Sequence, residues 1–203
     1  MKFPTRGLYA ITQPENKTVD QVLGQVEAAL KGGAVVVQYR DKNPIDAVAL
    51  AHQLLTLCHA YQAPLLINDS VELAIKVGAD GVHLGKDDGD IANARKRLGP
   101  DAIIGVSCYN NLKKALAAIE HGADYVAFGR FFPSGSKPLA SPADVSTLRQ
   151  AKLQIKAPIV AIGGILPENG GQLLTAGADL LAVIGGIFDH DPQAAANAYQ
   201  TLF

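Results

Sequence analysis

The chain has 203 residues, a length that suits one domain with a buried core. Its formal net charge of −1 argues against a nucleic-acid partner and favours small molecules. The two cysteines, Cys58 and Cys108, are too few for a disulfide framework and lack metal-ligand spacing, so we expect a cytoplasmic protein. No signal-like segment or apolar run of membrane-spanning length is visible, and we therefore expect no membrane partner.

Eight short apolar runs alternate with segments of helical spacing along the chain. The runs are Leu8–Thr12, Val35–Gln38, Leu65–Asn68, Val82–Leu84, Ile103–Val106, Tyr125–Phe128, Ile159–Ile162 and Leu181–Ile184. Between the first two, for example, Val19, Val22 and Val26 recur at helical spacing. Buried parallel strands are continuous Val/Ile/Leu runs, so the pattern predicts an α/β protein, a single (β/α)8 TIM-barrel domain over residues 1–203.

A doubly wound open sheet is the competing fold. It would usually contain five or six strands and a Gly-x-Gly-x-x-Gly turn after the first one. In this chain the first apolar run is followed by Gln13-Pro14-Glu15, which lacks those glycines. The sequence therefore favours the barrel.

A weak internal repeat supports an alternation of helix and strand. Its copies are Gly32-Gly33-Ala34, Gly78-Ala79-Asp80, Gly122-Ala123-Asp124 and Gly177-Ala178-Asp179. Each copy closes an Ala/Leu-rich segment and precedes an apolar run. Glycine just past a helix supplies the left-handed conformation that ends it, so each copy predicts a helix end followed by a strand.

Glycine-rich turns follow the seventh and eighth predicted strands, at Gly163-Gly164 and Gly185-Gly186. Barrel enzymes commonly bind phosphate on backbone N–H groups at these two places. The alternative is that the glycines serve only tight turns. We expect a phosphate subsite here because the backbone can approach an anion closely where no Cβ intervenes.

Carboxylates follow the third and fourth predicted strands. Asp69 comes directly after Asn68, and Asp88 follows Asp87 on the neighbouring strand. Magnesium prefers one or two carboxylates, with waters and phosphate oxygens completing its octahedron, and Asp69 with Asp88 suits that arrangement. The alternatives are that Asp69 caps the helix beginning near Val71 and that Asp87 and Asp88 form a solvated turn.

Cations follow the second and sixth predicted strands. Arg40 and Lys42 flank Asp41, and Lys137 lies in the loop after the sixth strand. Arginine binds two phosphate oxygens in a fork, whereas lysine offers a compact charge that can follow a leaving group, so the three predict a diphosphate clamp. Lys86, beside two aspartates, is interpreted as solvated.

Two further residue types are weaker candidates. His83 lies within the fourth predicted strand and is interpreted as a core or lining histidine rather than a catalytic one. Cys108 has no adjacent base in the sequence, which argues against a nucleophile.

The ordered set of motifs resembles the thiamine phosphate synthase family over almost the whole chain. The motifs are Gln38-Tyr39-Arg40-Asp41-Lys42, Ile67-Asn68-Asp69, Gly78 to Asp88, Gly105-Val106-Ser107, Ala123 to Gly129 and Val160 to Ile165. The resemblance implies an enzyme that joins hydroxymethylpyrimidine diphosphate to a thiazole phosphate, with Mg²⁺, and releases diphosphate. The thiazole tautomerase is a close relative with the same motif order.

The resemblance also implies residue roles. Asp69 and Asp88 would bind Mg²⁺, while Arg40, Lys137 and Ser107 would act in catalysis. The implied substrate-binding residues are Gln38, Tyr39, Arg40, Asp41, Lys42, Asn68, Ser107, Ser134, Gly135, Ser136, Lys137, Gly164, Ile184 and Gly185. The residues from Ser134 to Ser136, with Gly164 and the Ile184-Gly185 turn, would receive the thiazole phosphate.

The chain departs from the family pattern at three places. Ser134-Gly135-Ser136-Lys137 replaces a Thr-Pro-Thr-Lys-like loop, Gly185 replaces a serine, and Ser70 stands where arginine is common. Two alternatives stay open: a thiazole tautomerase, which needs neither diphosphate nor magnesium, and a non-catalytic paralogue that binds thiamine precursors. A homo-oligomeric assembly also stays open.

Overall fold

The computed structural model describes residues 1–85, 90–133 and 142–203. Its eight parallel strands pair in sequence order, and β1 pairs with β8 to close the barrel. The predicted (β/α)8 barrel is therefore confirmed and the open-sheet alternative is wrong. In the described part of the chain, no helix combines the length and the apolarity that a membrane crossing requires.

The strands are short and the helices run between them. Strands β1 to β8 are Gly7–Ile11, Ala34–Tyr39, Leu65–Asn68, Gly81–Leu84, Ile103–Tyr109, Tyr125–Gly129, Ile159–Ile162 and Leu180–Val183. Helices α1 to α9 are Val19–Lys31, Ala47–Ala60, Val71–Val77, Ile91–Leu98, Leu112–Glu120, Val145–Gln154, Pro167–Thr175, Gly185–Phe188 and Pro192–Gln200.

Short polar side chains begin most of the helices. Each accepts a hydrogen bond from a backbone N–H in the first turn, which would otherwise lack a partner. These capping residues are Thr18, Asp46, Ser70, Asp90, Asn111, Asp144 and Asp191. The caps explain where the sequence starts its helices.

The predicted repeat marks the ends of alternate helices. Gly32 caps α1, and Gly78 caps α3 at φ 67°, in the left-handed region. Gly122 and Gly177 follow the caps of α5 and α7 and also have positive φ. The helix end and the strand that the repeat predicts are therefore confirmed in all four copies.

The three aspartates of the repeat join β4, β6 and β8 to the strand that precedes each of them in the chain. The carboxylate of Asp80 accepts from the N–H of Leu65, at the start of β3, at 2.9 Å. Asp124 accepts in the same way from Ile104 at 2.7 Å, and Asp179 accepts from Ile159 at 2.9 Å. The three aspartates thus fix strand pairing at the amino-terminal end of the barrel, away from the end where barrel enzymes hold their active sites.

Side chains alternate between the barrel interior and the layer beneath the helices. The interior cluster contains Tyr9, Ile11, Val36, Leu66, Ile103, Tyr125, Ala127, Val160, Leu180 and Ala182. Tyr125 fits because Gly105, its partner on β5, has no Cβ: a Cβ there would overlap the Tyr125 ring. Phe3 stacks on the other side of this ring, with centroids 3.9 Å apart and planes 4° apart.

Candidate active site

Polar side chains replace the apolar interior near the carboxyl ends of β2 to β5. Gln38 follows Val36 on the interior face of β2 and is only 2% exposed. Asn68 ends β3 and is partly buried, and Ser107 lies partly exposed on β5. Catalytic groups of barrel enzymes occupy this end, so the structure places three of the predicted residues where a site is expected.

A chain of hydrogen bonds crosses the barrel below these residues. Gln38 Nε2 donates to the Tyr9 hydroxyl at 2.7 Å, and the hydroxyls of Tyr9 and Tyr125 are 2.9 Å apart. His83 Nδ1 lies 2.7 Å from the Tyr125 hydroxyl, and its Nε2 lies 2.9 Å from Ser107 Oγ. Gln38 and Ser107 are therefore the two ends of one buried polar chain.

Asp69 has an unusual backbone conformation at the mouth of the barrel. Its φ is 62°, its N–H donates to the His83 carbonyl at 2.8 Å, and its carboxylate accepts from Asn68 Nδ2 at 2.6 Å. Ser70, not Asp69, caps α3 by accepting from Leu73 N–H at 3.1 Å. The alternative that Asp69 is the helix cap is therefore wrong. Its exposed carboxylate lies at the mouth of the barrel, where its oxygens could bind a cation.

Arg40 is partly buried just after β2. Its N–H donates to Thr12 Oγ1 at 3.0 Å, and the Thr12 hydroxyl donates to the Arg40 carbonyl at 3.1 Å. This double contact fixes the backbone of Arg40 to the end of β1. Among the described residues, no ion pair neutralises Arg40, so its charge is available to an anion.

The neighbours of Arg40 have different surroundings. Tyr39 lies in the layer between barrel and helices, 3% exposed, and its hydroxyl donates to Asp41 at 3.4 Å. The structure does not bring its ring into the interior with Gln38, because successive side chains of a strand point to opposite faces. Asp41 also accepts from the Asn43 N–H at 3.0 Å and shapes the turn, while Lys42 is exposed.

The glycine turn after β7 packs tightly against the loop after β6. Phe132 N–H donates to the Gly163 carbonyl at 3.0 Å. Gly164 has φ 64°, and a Cβ there would lie 2.8 Å from the Phe132 carbonyl carbon. A side chain at Gly164 would therefore push the two loops apart.

The turn after β8 opens the short helix α8. Ile184 is its N-cap residue, so the N–H groups of Gly185 and Gly186 lie in the first turn, where no backbone carbonyl of the helix can accept from them. Gly185 does not have the left-handed φ, but a Cβ there would overlap the Asp189 carboxylate. Tyr199 donates to the Ile165 carbonyl at 2.9 Å and so ties α9 to the turn after β7.

Several predicted residues lie outside the described part of the chain. They are Lys86, Asp87, Asp88, Ser134, Gly135, Ser136 and Lys137. Within the described ranges, no group of three or more His, Cys, Asp or Glu side chains forms a metal centre. Asp69 is therefore the one predicted magnesium ligand whose position the structure gives.

Sequence reasoning missed Tyr9 and Tyr125 because both occur within apolar runs. Only the small residue Gly105, opposite Tyr125 on β5, could have indicated a large interior side chain. His83 is a lining histidine, as expected, and its hydrogen bonds to Tyr125 and Ser107 make it part of the network. Burial raises the pKa of the Cys108 thiol to about 12, which agrees with the expectation that it is no nucleophile.

These features define a class of protein. A closed barrel with glycine turns after β7 and β8, and with polar groups near the carboxyl ends of its strands, has the architecture of the (β/α)8 barrel enzymes. The sequence pattern of a family described as thiamine monophosphate synthase matches residues 8–187. The chain belongs to this family.

Individual relatives agree over the full length. A thiamine-phosphate synthase of Nitrosococcus oceani is 51% identical over 206 aligned residues, covering 100% of this chain and 95% of the relative. One of Chromobacterium violaceum is 52% identical, covering 94% and 92%. The solved structure of thiamine phosphate pyrophosphorylase from Pyrococcus furiosus superposes with a TM-score of 0.88 at 34% identity, covering 98% of this chain and 95% of that one.

Proposed function

We propose that this enzyme is a thiamine-phosphate synthase. It joins hydroxymethylpyrimidine diphosphate to hydroxyethylthiazole phosphate and releases diphosphate. The observation that carries the proposal is the mouth of the barrel. Gln38 and Ser107 lie near the carboxyl ends of β2 and β5, while Arg40 and Asp69 directly follow β2 and β3. Together they offer a cation, a hard carboxylate oxygen and two groups that can hydrogen-bond a heterocycle.

The pyrimidine ring occupies the space above Gln38 and Ser107. These two residues end the buried polar chain, and the interior below them is filled by Tyr9 and Tyr125. A substrate entering from the mouth therefore meets a closed polar floor. Its diphosphate extends toward Arg40 and Lys42, which follow Gln38 at the end of β2.

Mg²⁺ fits the donors at this mouth. Asp69 is exposed and held in place by Asn68 and by the His83 carbonyl, which suits an ion that takes one or two carboxylates and completes its shell with phosphate and water. We assign Asp88 as the second ligand from the family resemblance. When bound, the ion would neutralise negative charge on the departing diphosphate.

The reaction requires no protein nucleophile. As the carbon–oxygen bond breaks, negative charge grows on the diphosphate, and Arg40, Lys42 and Lys137 stabilise it. The aminopyrimidine delocalises the positive charge of the remaining methylene group, which the thiazole nitrogen then attacks. The loop containing Ser134 and Lys137 would exclude water that could otherwise capture this cation.

The thiazole phosphate occupies the glycine turns after β7 and β8. Backbone N–H groups at Gly164 and Gly185 can approach a phosphate because neither residue carries a side chain. The turn after β7 is held by Asn169, whose Nδ2 donates to the Gly164 carbonyl at 3.1 Å. The two substrates therefore enter from opposite sides of the mouth.

Incubation of the purified protein with both precursors and Mg²⁺ tests the proposal. We expect thiamine phosphate and diphosphate only when all three components are present. Rearrangement of a thiazole phosphate without diphosphate release would instead identify a tautomerase. Binding of both precursors with no product would identify a non-catalytic paralogue.

A further inference from the structure

The hydrogen-bond chain below the mouth links five residues from five strands. Gln38, Tyr9, Tyr125, His83 and Ser107 come from β2, β1, β6, β4 and β5, and consecutive members are 2.7 to 2.9 Å apart. Hydroxyls and imidazole nitrogens can each reverse their donor and acceptor roles. In a continuous chain, however, the role of one member determines the role of the next.

Counting the protons that each member can donate gives the direction of the hydrogen-bond chain. Gln38 Nε2 donates to Tyr9, so the single Tyr9 proton turns to Tyr125, and the Tyr125 proton turns to His83 Nδ1. In a neutral imidazole the proton is then on Nε2, which donates to Ser107 Oγ. With the Gln38 amide nitrogen donating to Tyr9, the opposite direction at Tyr9 or at Tyr125 would leave that buried hydroxyl proton without an acceptor, which is costly.

The direction of the chain fixes what its two ends present to the mouth. Gln38 uses its amide nitrogen on Tyr9, and among the described residues no donor reaches its Oε1 atom, which is left as an acceptor. Ser107 accepts from His83, so its own proton is directed away from the imidazole as a donor. One end therefore accepts and the other donates.

We propose that His83, Tyr125 and Tyr9 are positioning residues that select a 4-aminopyrimidine over a 4-oxopyrimidine by fixing the hydrogen-bond direction of Gln38 and Ser107. This inference deepens the proposed function and rests on it. An aminopyrimidine offers an amine donor beside a ring-nitrogen acceptor, which complements Gln38 Oε1 and the Ser107 hydroxyl. The 4-oxo ring offers the reverse, a carbonyl acceptor beside a ring N–H donor.

The residues packed around the hydrogen-bond chain keep the donor and acceptor roles of its members constant. Tyr9 and Tyr125 are fully buried, and burial raises the pKa of both phenols well above the usual range, so they stay protonated donors. Stacking on Phe3 and the space left by Gly105 hold the Tyr125 ring in place. The network is therefore a rigid floor rather than a set of rotating hydroxyls.

The tautomer of His83 is the first test. Nitrogen-15 NMR of histidine-labelled protein, with the signal assigned by its loss in His83→Gln, distinguishes a ring protonated at Nε2 from one protonated at Nδ1. We expect the Nε2–H form in the substrate-free enzyme at neutral pH. The Nδ1–H form would reverse the direction of the chain and overturn the inference.

Binding of two pyrimidine diphosphates is the second test, measured by calorimetry with Mg²⁺ and without thiazole phosphate. We expect wild type to bind the 4-amino compound about 100-fold more tightly than its 4-oxo analogue, because two hydrogen bonds are mismatched in the analogue. Tyr125→Phe should reduce this ratio to about 10-fold or less. If Tyr125 had a purely structural role, the substitution would weaken the binding of both compounds equally and leave the ratio of their affinities unchanged. That result would overturn the inference.

Matched variants separate the two nitrogens of His83. The amide nitrogen of His83→Gln can take the place of Nε2 and still donate to Ser107, whereas that of His83→Asn falls near Nδ1. We expect the glutamine variant to keep more of the amino-over-oxo preference than the asparagine variant. Tyr61→Phe, which removes a surface hydroxyl bonded to Glu27, is the control and should keep the full ratio.

The outcomes distinguish this inference from the proposed function. Product formation with an amino-over-oxo ratio that no network variant changes would leave the synthase function intact and overturn the role of His83. A ratio that depends on the network, without formation of thiamine phosphate, would support the role of His83 and contradict the synthase function. Failure of wild type to prefer the 4-amino compound would also overturn the inference.

Discussion

Asp69 combines a strained backbone with an exposed carboxylate. A φ of 62° is uncommon for a residue other than glycine, and such strain persists where the surrounding contacts enforce it. Here the contacts are the His83 carbonyl and the Asn68 amide. Because Ser70 already caps α3, the conformation of Asp69 serves the mouth of the barrel rather than the helix.

Asp69→Asn should lower turnover by at least about 10²-fold, because it removes the charge of the proposed metal ligand while asparagine tolerates the same backbone conformation. Steady-state rates against Mg²⁺ concentration measure the loss. Ser70→Ala is the matched control: losing the cap should cost about 1 kcal/mol of stability and leave the Mg²⁺ dependence unchanged. Full activity of Asp69→Asn, or of wild type in excess chelator, would contradict the magnesium assignment.

Gly185 stands where the family pattern has a serine, in the turn that we propose binds the thiazole phosphate. A hydrogen bond to a charged acceptor contributes about 1.5–3 kcal/mol, which is about 10- to 100-fold in affinity. A side chain at Gly185 would first have to displace the exposed Asp189 carboxylate. We therefore expect Gly185→Ser with Asp189→Ala to lower the KM for thiazole phosphate by about 10-fold.

Kinetics of the two single variants complete this test. Gly185→Ser alone should gain less, because the serine and Asp189 compete for the same space, and Asp189→Ala alone should lack the added hydroxyl contact. The KM for pyrimidine diphosphate should stay constant throughout. An unchanged KM for thiazole phosphate in the double variant would show that the backbone amides already satisfy the phosphate.

At the level of elements, the repeated aspartates separate stability from catalysis. Asp124 accepts from Ile104 N–H at 2.7 Å and pairs with Arg95 at 2.6 Å, at the amino-terminal end of the strands. Asp124→Ala should lower the free energy of unfolding by about 2 kcal/mol, since a backbone donor loses its charged acceptor. Urea unfolding measures this effect, with the exposed Asp101→Ala as the control.

Catalysis should be unaffected by the same change. Barrel active sites lie at the carboxyl ends of the strands, so KM values of Asp124→Ala for both substrates should equal those of wild type. A large change in either KM, without loss of stability, would show that this end of the barrel communicates with the mouth.

The alternation of elements was predictable because each repeat carries its own signals. The glycine that ends a helix and the apolar run that follows depend on neighbouring residues alone. The position of the Tyr39 side chain could not be predicted from neighbouring residues alone, because the face of β2 on which it lies depends on the register of that strand in the barrel. The local pattern also allowed Asp69 or Ser70 as the cap of α3, and only the three-dimensional contacts distinguish them.

The buried network was beyond sequence reasoning for a related reason. Tyr9, Tyr125 and His83 lie far apart in the chain and meet only because the barrel closes. In sequence, Tyr9 and Tyr125 resemble other members of apolar strands. The candidate residues at strand ends were easier to find, because polar groups there interrupt an otherwise apolar pattern.

For the whole molecule, burial of the two cysteines links stability to alkaline pH. Burial raises the pKa of both the Cys58 and Cys108 thiols from 9.0 to about 12. Between pH 9 and 12 the unfolded chain loses protons that the folded protein retains, so stability should fall as pH rises. The free energy of unfolding should fall by up to about 1.4 kcal/mol per pH unit for each thiol.

Urea unfolding at pH 7, 8, 9 and 10 measures this dependence. We expect the free energy of unfolding to change little from pH 7 to 8 and to decline above about pH 9. In Cys58→Ala the decline, measured from the variant's own value at pH 7, should be smaller than in wild type. The native thiols should also resist alkylation at pH 8 until the protein unfolds. Rapid modification of the folded protein would contradict their raised pKa values.

Phosphorus-31 NMR of one reaction containing the enzyme, Mg²⁺ and both precursors follows both products of the proposed synthase reaction at once. We expect free diphosphate and thiamine phosphate to appear together in a one-to-one ratio, and both to require the thiazole phosphate. Diphosphate release without thiamine phosphate, or no change in either precursor, would contradict the assignment of this barrel as a synthase.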